Sequence, residues 1–247
     1  MKGVILAGGT GSRLEKLTSV LNKHLVAVGE VPMIEYPLNT LVQMGVKDIA
    51  VVTGAEHAGT VVQYLTKEHE EIDFTYKIQK KAGGIAEALS LTENIYHGEK
   101  IIVILGDNIF EGNFSEEARK FEESKLGAML FLKKVNIDEA KRFGIAIVEG
   151  DKVKYVEEKP AEPKSNLAMT GLYMFDSEIF NKIRQLHRSA RGELEITDAI
   201  EKYVQEGNCG YGFVDGFWSD AGTHSSRKFA EDYIYKKGKE FWNKKSI

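Results

Sequence analysis

The chain has a single cysteine, Cys209, in 247 residues. An intrachain disulfide and a thiolate metal cluster are therefore both excluded, and a small residue on a strand is the plain reading of that position. No apolar run is long enough to span a bilayer, and there is neither an internal repeat nor a low-complexity tract. Met1-Lys2-Gly3 enters the first strand with no apolar leader, which points to the cytoplasm. Excess positive charge is also missing. With a net charge of −4, a general nucleic-acid surface is disfavoured, and any anion must be held by a few local cations. What is present, 43% hydrophobic and 28% charged residues, is enough to bury the core of one large α/β domain and argues against disorder.

Two further absences narrow the N-terminal motif. Val4 to Ala7 reads as a buried strand that empties into Gly8, Gly9, Thr10, Gly11, Ser12 and Arg13. No Gly-Lys-Ser/Thr follows, so this is not a P-loop, and Leu14 stands where the dinucleotide fingerprint requires a third glycine. A Rossmann oxidoreductase is weakened accordingly. Glycines without a Cβ allow several backbone N–H donors to face one anion, and Arg13 and Lys23 would add full charge. A tight structural turn is the other reading of the same glycines.

Along the chain, apolar runs and helical periods alternate. Ile34, Leu38, Leu41 and Val42 share one helical face before Gly45; Asp48 to Thr53 reads as a strand, His57 to His69 as a helix, Phe74 to Ile78 as a strand, and Lys100 to Leu105 as a core strand. That rhythm predicts a Rossmann-like, mostly parallel sheet with helices on both faces, whose ligands gather at the carboxyl ends of the strands. After a helix over Ser115 to Ser124 and a strand over Gly127 to Val135, the pattern becomes strand and short turn: Gly144 to Glu149, Lys152 to Glu158, Leu167 to Phe175. An antiparallel extension follows from this. A helix ending near Glu206, a strand over Gly212 to Phe217 and a closing charged helix over 225–247 complete the expectation. The whole is one domain, with a first part of about 1–125, a second of about 126–224 and the C-terminal helix over 225–247.

Several polar residues sit where packing alone does not want them. Asp107, at the carboxyl end of a central strand, suits Mg2+ or caps the next turn. Gln79 and Gly84 could read the edge of a pyrimidine or simply form a capped glycine turn. Glu157, Glu158 and Lys159 are a solvated strand end unless a ligand claims them. Arg191 and Glu193 read as a salt-bridged helix entry or as shapers of the same site. Asp220 either pairs with Asp107 on one ion or caps the last helix.

Leu6-Ala-Gly-Gly-x-Gly-x-Arg-Leu, Asn22-Lys23-His24-Leu25, Leu105-Gly-Asp-Asn-Ile-Phe110, Glu158-Lys159-Pro160, Thr170-Gly171-Leu172-Tyr173 and Trp218-Ser-Asp220 occur in that order. Together they resemble the sugar-phosphate nucleotidyltransferases over Leu6 to His224, nearest to the short thymidine-using members with the nucleotide-diphospho-sugar transferase fold. The resemblance implies a Mg2+-dependent reaction of dTTP with glucose 1-phosphate to give dTDP-glucose and pyrophosphate. It assigns Gly8, Gly9, Gly11, Ser12, Arg13, Lys23, Gln79, Gly84 and Asp107 to the nucleotide. Asn108, Gly144, Glu158, Lys159, Thr170, Gly171, Tyr173 and Trp218 go to the sugar, and Asp107 and Asp220 to the metal. Arg13, Lys23, Asp107 and Lys159 carry the catalysis. A homo-oligomer, dimer or tetramer, is implied as well. Long-form members continue into helices that build a regulatory nucleotide site, a device expected to be absent here. Two departures touch specificity: Gln79-Lys-Lys lacks the proline many members place after the glutamine, and Glu15-Lys16 replaces the usual proline-containing turn behind Arg13. The same chemistry on another base or sugar, and a catalytically silent sensor, stay open.

Overall fold

A computed structural model of the chain describes residues 1–9, 21–238 and 241. In chain order its strands and helices are β1 (Lys2–Ala7), β2 (Ala27–Val28), β3 (Val31–Pro32), α1 (Glu35–Gln43), β4 (Asp48–Gly54), α2 (Ala58–Glu68), β5 (Asp73–Gln79), α3 (Ile85–Ser90), α4 (Glu93–Tyr96) and β6 (Ile101–Leu105). Next come β7 (Ile109–Phe110), α5 (Ser115–Glu123), β8 (Ala128–Lys134), α6 (Ile137–Ala140), β9 (Gly144–Glu149), β10 (Lys152–Glu158) and β11 (Leu167–Phe175). The chain closes with α7 (Glu178–Ile183), α8 (Ile196–Gln205), β12 (Cys209–Phe213), β13 (Trp218–Ser219) and α9 (His224–Lys237).

Period-two patterning builds the parallel half. β6, β1, β4 and β5 lie side by side and parallel, Ile5 of β1 facing Ile104 on one side and Val51 on the other. Successive residues of β1 then serve opposite faces: Val4 and Leu6 join one apolar cluster with α3, α7 and α8, while Ile5 and Ala7 join a second with α1, α2 and α5. All four side chains are buried, each larger one stabilising the fold by about 1.5–3 kcal/mol. Both faces of the sheet are thus sealed, and the polar ends of the strands are left for a ligand.

β11 carries the antiparallel half. Its Leu172–Phe175 stretch pairs with β6, Leu167 and Ala168 pair with β9, and β8 runs along it with a register shift between Met169 and Tyr173. β10 adds to β9 through the Glu149-Gly-Asp151 turn, where Gly150 has φ +60. The strand expected over Gly212 to Phe217 lies earlier, at Cys209–Phe213, because Cys209 to Phe213 pair parallel with Ala128 to Leu132 of β8. Of the closing helix expected over 225–247, the stretch His224–Lys237 is described: Thr223 caps it by accepting from the Ser226 amide, and Gly238, at φ +58, stands at its C-cap, while residues 239, 240 and 242–247 lie outside the described residues. Its residues Ala230 and Ile234 pack with Phe217, Ala221 and Ile109 and so fix the Trp218–Gly222 segment beneath the sheet's carboxyl edge.

Candidate active site

One cavity of about 380 Å³ opens along the carboxyl ends of β1, β5 and β6 and across β9–β11. At its deep end Lys23, in a single 3-10 turn (Lys23–Leu25) started by Asn22, donates to Asp107 Oδ2 at 2.6 Å. The lysine is buried, and the Asp107 side chain retains 17% exposure. Burial, the largest single influence, would raise the Asp107 carboxyl, but the Lys23 charge together with the hydrogen bonds from Lys23 and Asn108 holds the group below the ordinary carboxylate range. His24 sits beneath Gly106, where a Cβ would come within 2.8 Å of its ring. Burial first, and the neighbouring Lys23 charge second, push His24 down to about 3, so it is a neutral spacer.

Asp220 lines the same cavity from the far side of Gly222. A Cβ on Gly222 would stand 2.9 Å from Asp107 Oδ2, 2.9 Å from the Asp220 carbonyl and 3.7 Å from Lys23 Nζ, so that turn lies directly against the first carboxylate. Arg142 Nη2 approaches Asp220 Oδ2 at 3.4 Å. Two carboxylates distant in sequence therefore share one cavity, each with a basic side chain upon it. Their hard oxygens, with room beside them, fit a divalent ion such as Mg2+, which takes one or two carboxylates and completes its shell with phosphate oxygens and water. No group of three or more His, Cys, Asp or Glu capable of holding a metal occurs among the described residues.

Gln79 is buried at the end of β5, and its Nε2 donates to the Gly84 carbonyl at 3.3 Å and lies 3.5 Å from a Glu87 carboxylate oxygen. Both partners are acceptors, which orients the amide with Oε1 toward Gly8, where an added Cβ would overlap it. Gly84 adopts φ +102 and ψ 167. The space a Cβ would take there is filled by the Leu194 backbone, whose amide is 2.8 Å from it, so the glycine is required by chain packing as well.

The opposite end is built on β9, β10 and β11. Asn108 Oδ1 accepts from the Gly171 amide at 3.1 Å and from Trp218 Nε1 at 2.7 Å, and its Nδ2 donates to Asp107 Oδ1 at 3.0 Å. A residue expected to bind sugar is thus committed to joining β11, the Trp218 indole and the Asp107 carboxylate. Trp218 tilts against Phe143 at 5.0 Å between ring centres. Glu158 accepts from Thr197 Oγ1 at 2.6 Å and from Arg191 Nη2 at 3.2 Å, with Lys159 Nζ 3.4 Å away. Gly144, Met169, Gly171 and Tyr173 complete this wall. Burial, with the Glu158 charge added, raises the Tyr173 phenol above its usual range, so it stays protonated.

The expectation for Thr170 needs correction. Alternation along β11 turns Met169, Gly171 and Tyr173 to the cavity and Thr170 to the other face, where it is fully buried and donates to the Phe131 carbonyl at 2.8 Å. Gly11, Ser12 and Arg13 lie outside the described residues. The remaining expected residues, Gly8, Gly9, Lys23, Gln79, Gly84, Asp107, Asn108, Gly144, Glu158, Lys159, Gly171, Tyr173, Trp218 and Asp220, all line the one cavity. Arg142 and Thr197 escaped sequence reasoning as partners of carboxylates. Arg142 stands two residues before a glycine already singled out, whereas nothing in the sequence marks Thr197.

Paired carboxylates and a buried lysine at strand ends, facing a second cluster of charge across one cavity, suit transfer of a nucleotidyl group to a sugar phosphate. The chain matches the family described as nucleotidyl transferase over residues 2–235 and belongs to it. More particularly, it is 37% identical over 242 residues to a glucose-1-phosphate thymidylyltransferase of Neisseria meningitidis, covering 95% of this chain and 82% of that one. A crystal structure from Bacillus anthracis, described as a candidate glucose-1-phosphate thymidylyltransferase in complex with a sucrose, superposes with a TM-score of 0.88 at 46% identity over 94% of both chains. A UDP-glucose pyrophosphorylase complexed with UDP-glucose shares the fold at 22% identity, with a TM-score of 0.86 over 96% of this chain and 99% of that one. Among the described residues no helix is long and apolar enough to cross a membrane.

Proposed function

We propose that this chain joins dTTP to α-D-glucose 1-phosphate, giving dTDP-glucose and pyrophosphate. The observation that carries the reading is the single cavity with Lys23, Asp107 and Asp220 at one end and Glu158 and Lys159 at the other. Relatives named glucose-1-phosphate thymidylyltransferase support it. A sugar phosphate oxygen is already anionic at neutral pH, so the attack on the α-phosphorus needs no general base. Catalysis becomes alignment and charge neutralisation.

Each residue then has a definite task. Lys159 holds the attacking phosphate in line while Glu158 accepts from hexose hydroxyls. Lys23 contacts the nucleotide phosphates, and Arg13, with Gly11 and Ser12, takes the charge of the departing pyrophosphate. Gln79, with its nitrogen committed to Gly84 and Glu87, turns an acceptor oxygen outward. That matches the N3–H of thymine or uracil and repels the bare N3 of cytosine. Asp107 and Asp220 would hold Mg2+, which supplies charge neutralisation to the triphosphate when bound. Tyr173 and Trp218 exclude water from the sugar end. A cytoplasmic location and a dimer or tetramer belong to the same proposal.

Pyrophosphate release measured with Mg2+, a panel of dTTP, UTP and CTP, and a panel of sugar 1-phosphates tests the reading. Highest kcat/KM with dTTP and glucose 1-phosphate is expected. No turnover with any pair, or preference for CTP, would overturn it.

A further inference from the structure

The cavity that would take a nucleoside triphosphate has no net charge of its own among the described residues. Four basic and four acidic side chains line it. Each basic one already meets a carboxylate: Lys23 stands on Asp107 at 2.6 Å, Arg142 on Asp220 at 3.4 Å, and Lys159 and Arg191 on Glu158 at 3.4 and 3.2 Å. The chain as a whole is at −4, so its long-range field repels a polyanion. Lys80 and Lys81 break this pattern. Both are exposed in the bend where β5 ends at Gln79, and among the described residues neither makes a hydrogen bond or an ion pair. Arg188, which lines a surface hollow with them, is by contrast engaged by the Glu87 carboxylate and by the Gly192 carbonyl.

Their position gives the pair a use. A second hollow, of about 200 Å³, opens off the same strand ends, and Gly8, Gly9, Lys23 and Gln79 line it together with Lys80 and Lys81. The first four line the larger cavity as well, so the two lysines flank the edge along which a triphosphate enters. Against them this hollow sets one carboxylate among the described residues, the exposed Glu56. The backbone around the pair is held on both sides. Buried Gln79 donates to the Gly84 carbonyl at 3.3 Å, and the Leu194 amide donates to the Gly83 carbonyl at 2.8 Å. Two ammonium groups on flexible stems over a fixed backbone suit attraction at a distance; in-line alignment needs groups locked in place. We propose, resting on the nucleotidyl-transfer reading, that Lys80 and Lys81 form a capture pair for the nucleotide's polyphosphate. They raise its local concentration at the mouth of the cavity and take no part in bond making.

Steady-state kinetics of the double variant Lys80→Gln, Lys81→Gln at low and high ionic strength test the proposal. At about 0.02 M ionic strength kcat/KM for dTTP should fall roughly fivefold, and at about 0.5 M, where exposed charges are screened, it should lie within about 1.5-fold of wild type. The value of kcat and the KM for glucose 1-phosphate should stay within about twofold throughout, since the pair acts before chemistry and at the nucleotide end. Equilibrium binding at low salt should weaken more for dTTP than for dTMP, which has a single phosphate. Lys80→Arg, Lys81→Arg keeps the charge and should match wild type. So should Lys47→Gln, Lys125→Gln, which removes the same charge from exposed positions just before β4 and β8, at the opposite edge of the sheet. A loss of equal size at both ionic strengths, a loss confined to kcat, or no loss at low salt overturns the capture role. Should the double variant fail to fold, the two single variants give the same comparison with smaller ratios. A wild-type protein that releases no pyrophosphate from any triphosphate and sugar 1-phosphate overturns both readings; an active wild type with an indifferent double variant overturns this one alone.

Discussion

Gly84→Ala is the substitution whose cost the geometry defines best. Gly84 has φ +102 and ψ 167, a region that only glycine occupies comfortably, so alanine there costs of order 1–3 kcal/mol in backbone strain. Its Cβ would also overlap the Leu194 carbonyl and lie 2.8 Å from the Leu194 amide. Both of those backbone groups are engaged, the amide with the Gly83 carbonyl at 2.8 Å and the carbonyl with the Ala86 amide at 3.2 Å. Relieving the overlap breaks two hydrogen bonds, worth about 0.5–1.5 kcal/mol each. The sum is about 2–6 kcal/mol, a large share of the stability of an ordinary domain. Gly150→Ala is the control: φ +60 in an open turn with nothing within 4 Å of an added Cβ, hence strain alone at about 1–2 kcal/mol. Urea unfolding of both variants decides the matter. A Gly84→Ala loss no larger than that of Gly150→Ala would refute the claim that the 82–86 loop is clamped to the 189–195 segment.

At the helical layer, the hydrogen bond that His69 Nε2 donates to Glu35 Oε1, at 2.9 Å, outweighs burial and raises His69 above the ordinary imidazole value. A raised folded value gives stability that is complete below pH 6.5 and is lost as pH rises through the folded pKa. His69→Asn is therefore expected to lower stability by about 1 kcal/mol at pH 6 and by clearly less at pH 9, which chemical denaturation at the two pH values checks. For base choice, Gln79→Ala should narrow the preference for dTTP over CTP about tenfold or more while lowering kcat less. Initial rates on the two nucleotides measure it, and an unchanged preference would remove Gln79 from base recognition.

The parallel half of the sheet was legible because unbroken apolar runs, such as Ile101 to Leu105, can only be strands buried on both faces. The carboxyl-end residues Asp107 and Gln79 were legible for the complementary reason that such runs end abruptly in polar groups. β12 was placed late, at Gly212 to Phe217, because its bounds are set by parallel pairing of Cys209 to Phe213 with Ala128 to Leu132 of β8. The structure explains Gly210 by Leu126, 2.9 Å from a would-be Cβ, and Gly212 by Met129 and Phe131 at 3.3 Å. These are long-range contacts that no local pattern carries. Thr170 failed on phase: a one-residue offset along β11 sends a side chain to the opposite face. Thr197 and Arg142 were invisible because their meaning lies in carboxylates 39 and 78 positions away.

The central claim is that Asp107 and Asp220 act on one divalent cation in one site. Pyrophosphate release at saturating dTTP and glucose 1-phosphate, measured for Asp107→Asn, Asp220→Asn and the double variant, tests it most directly. Residues that act as a unit lose their effect together, so the double variant should be about as slow as the worse single variant, each single falling by roughly two to three decades. Losses that multiply in the double variant would mean two independent roles and would contradict a shared ion.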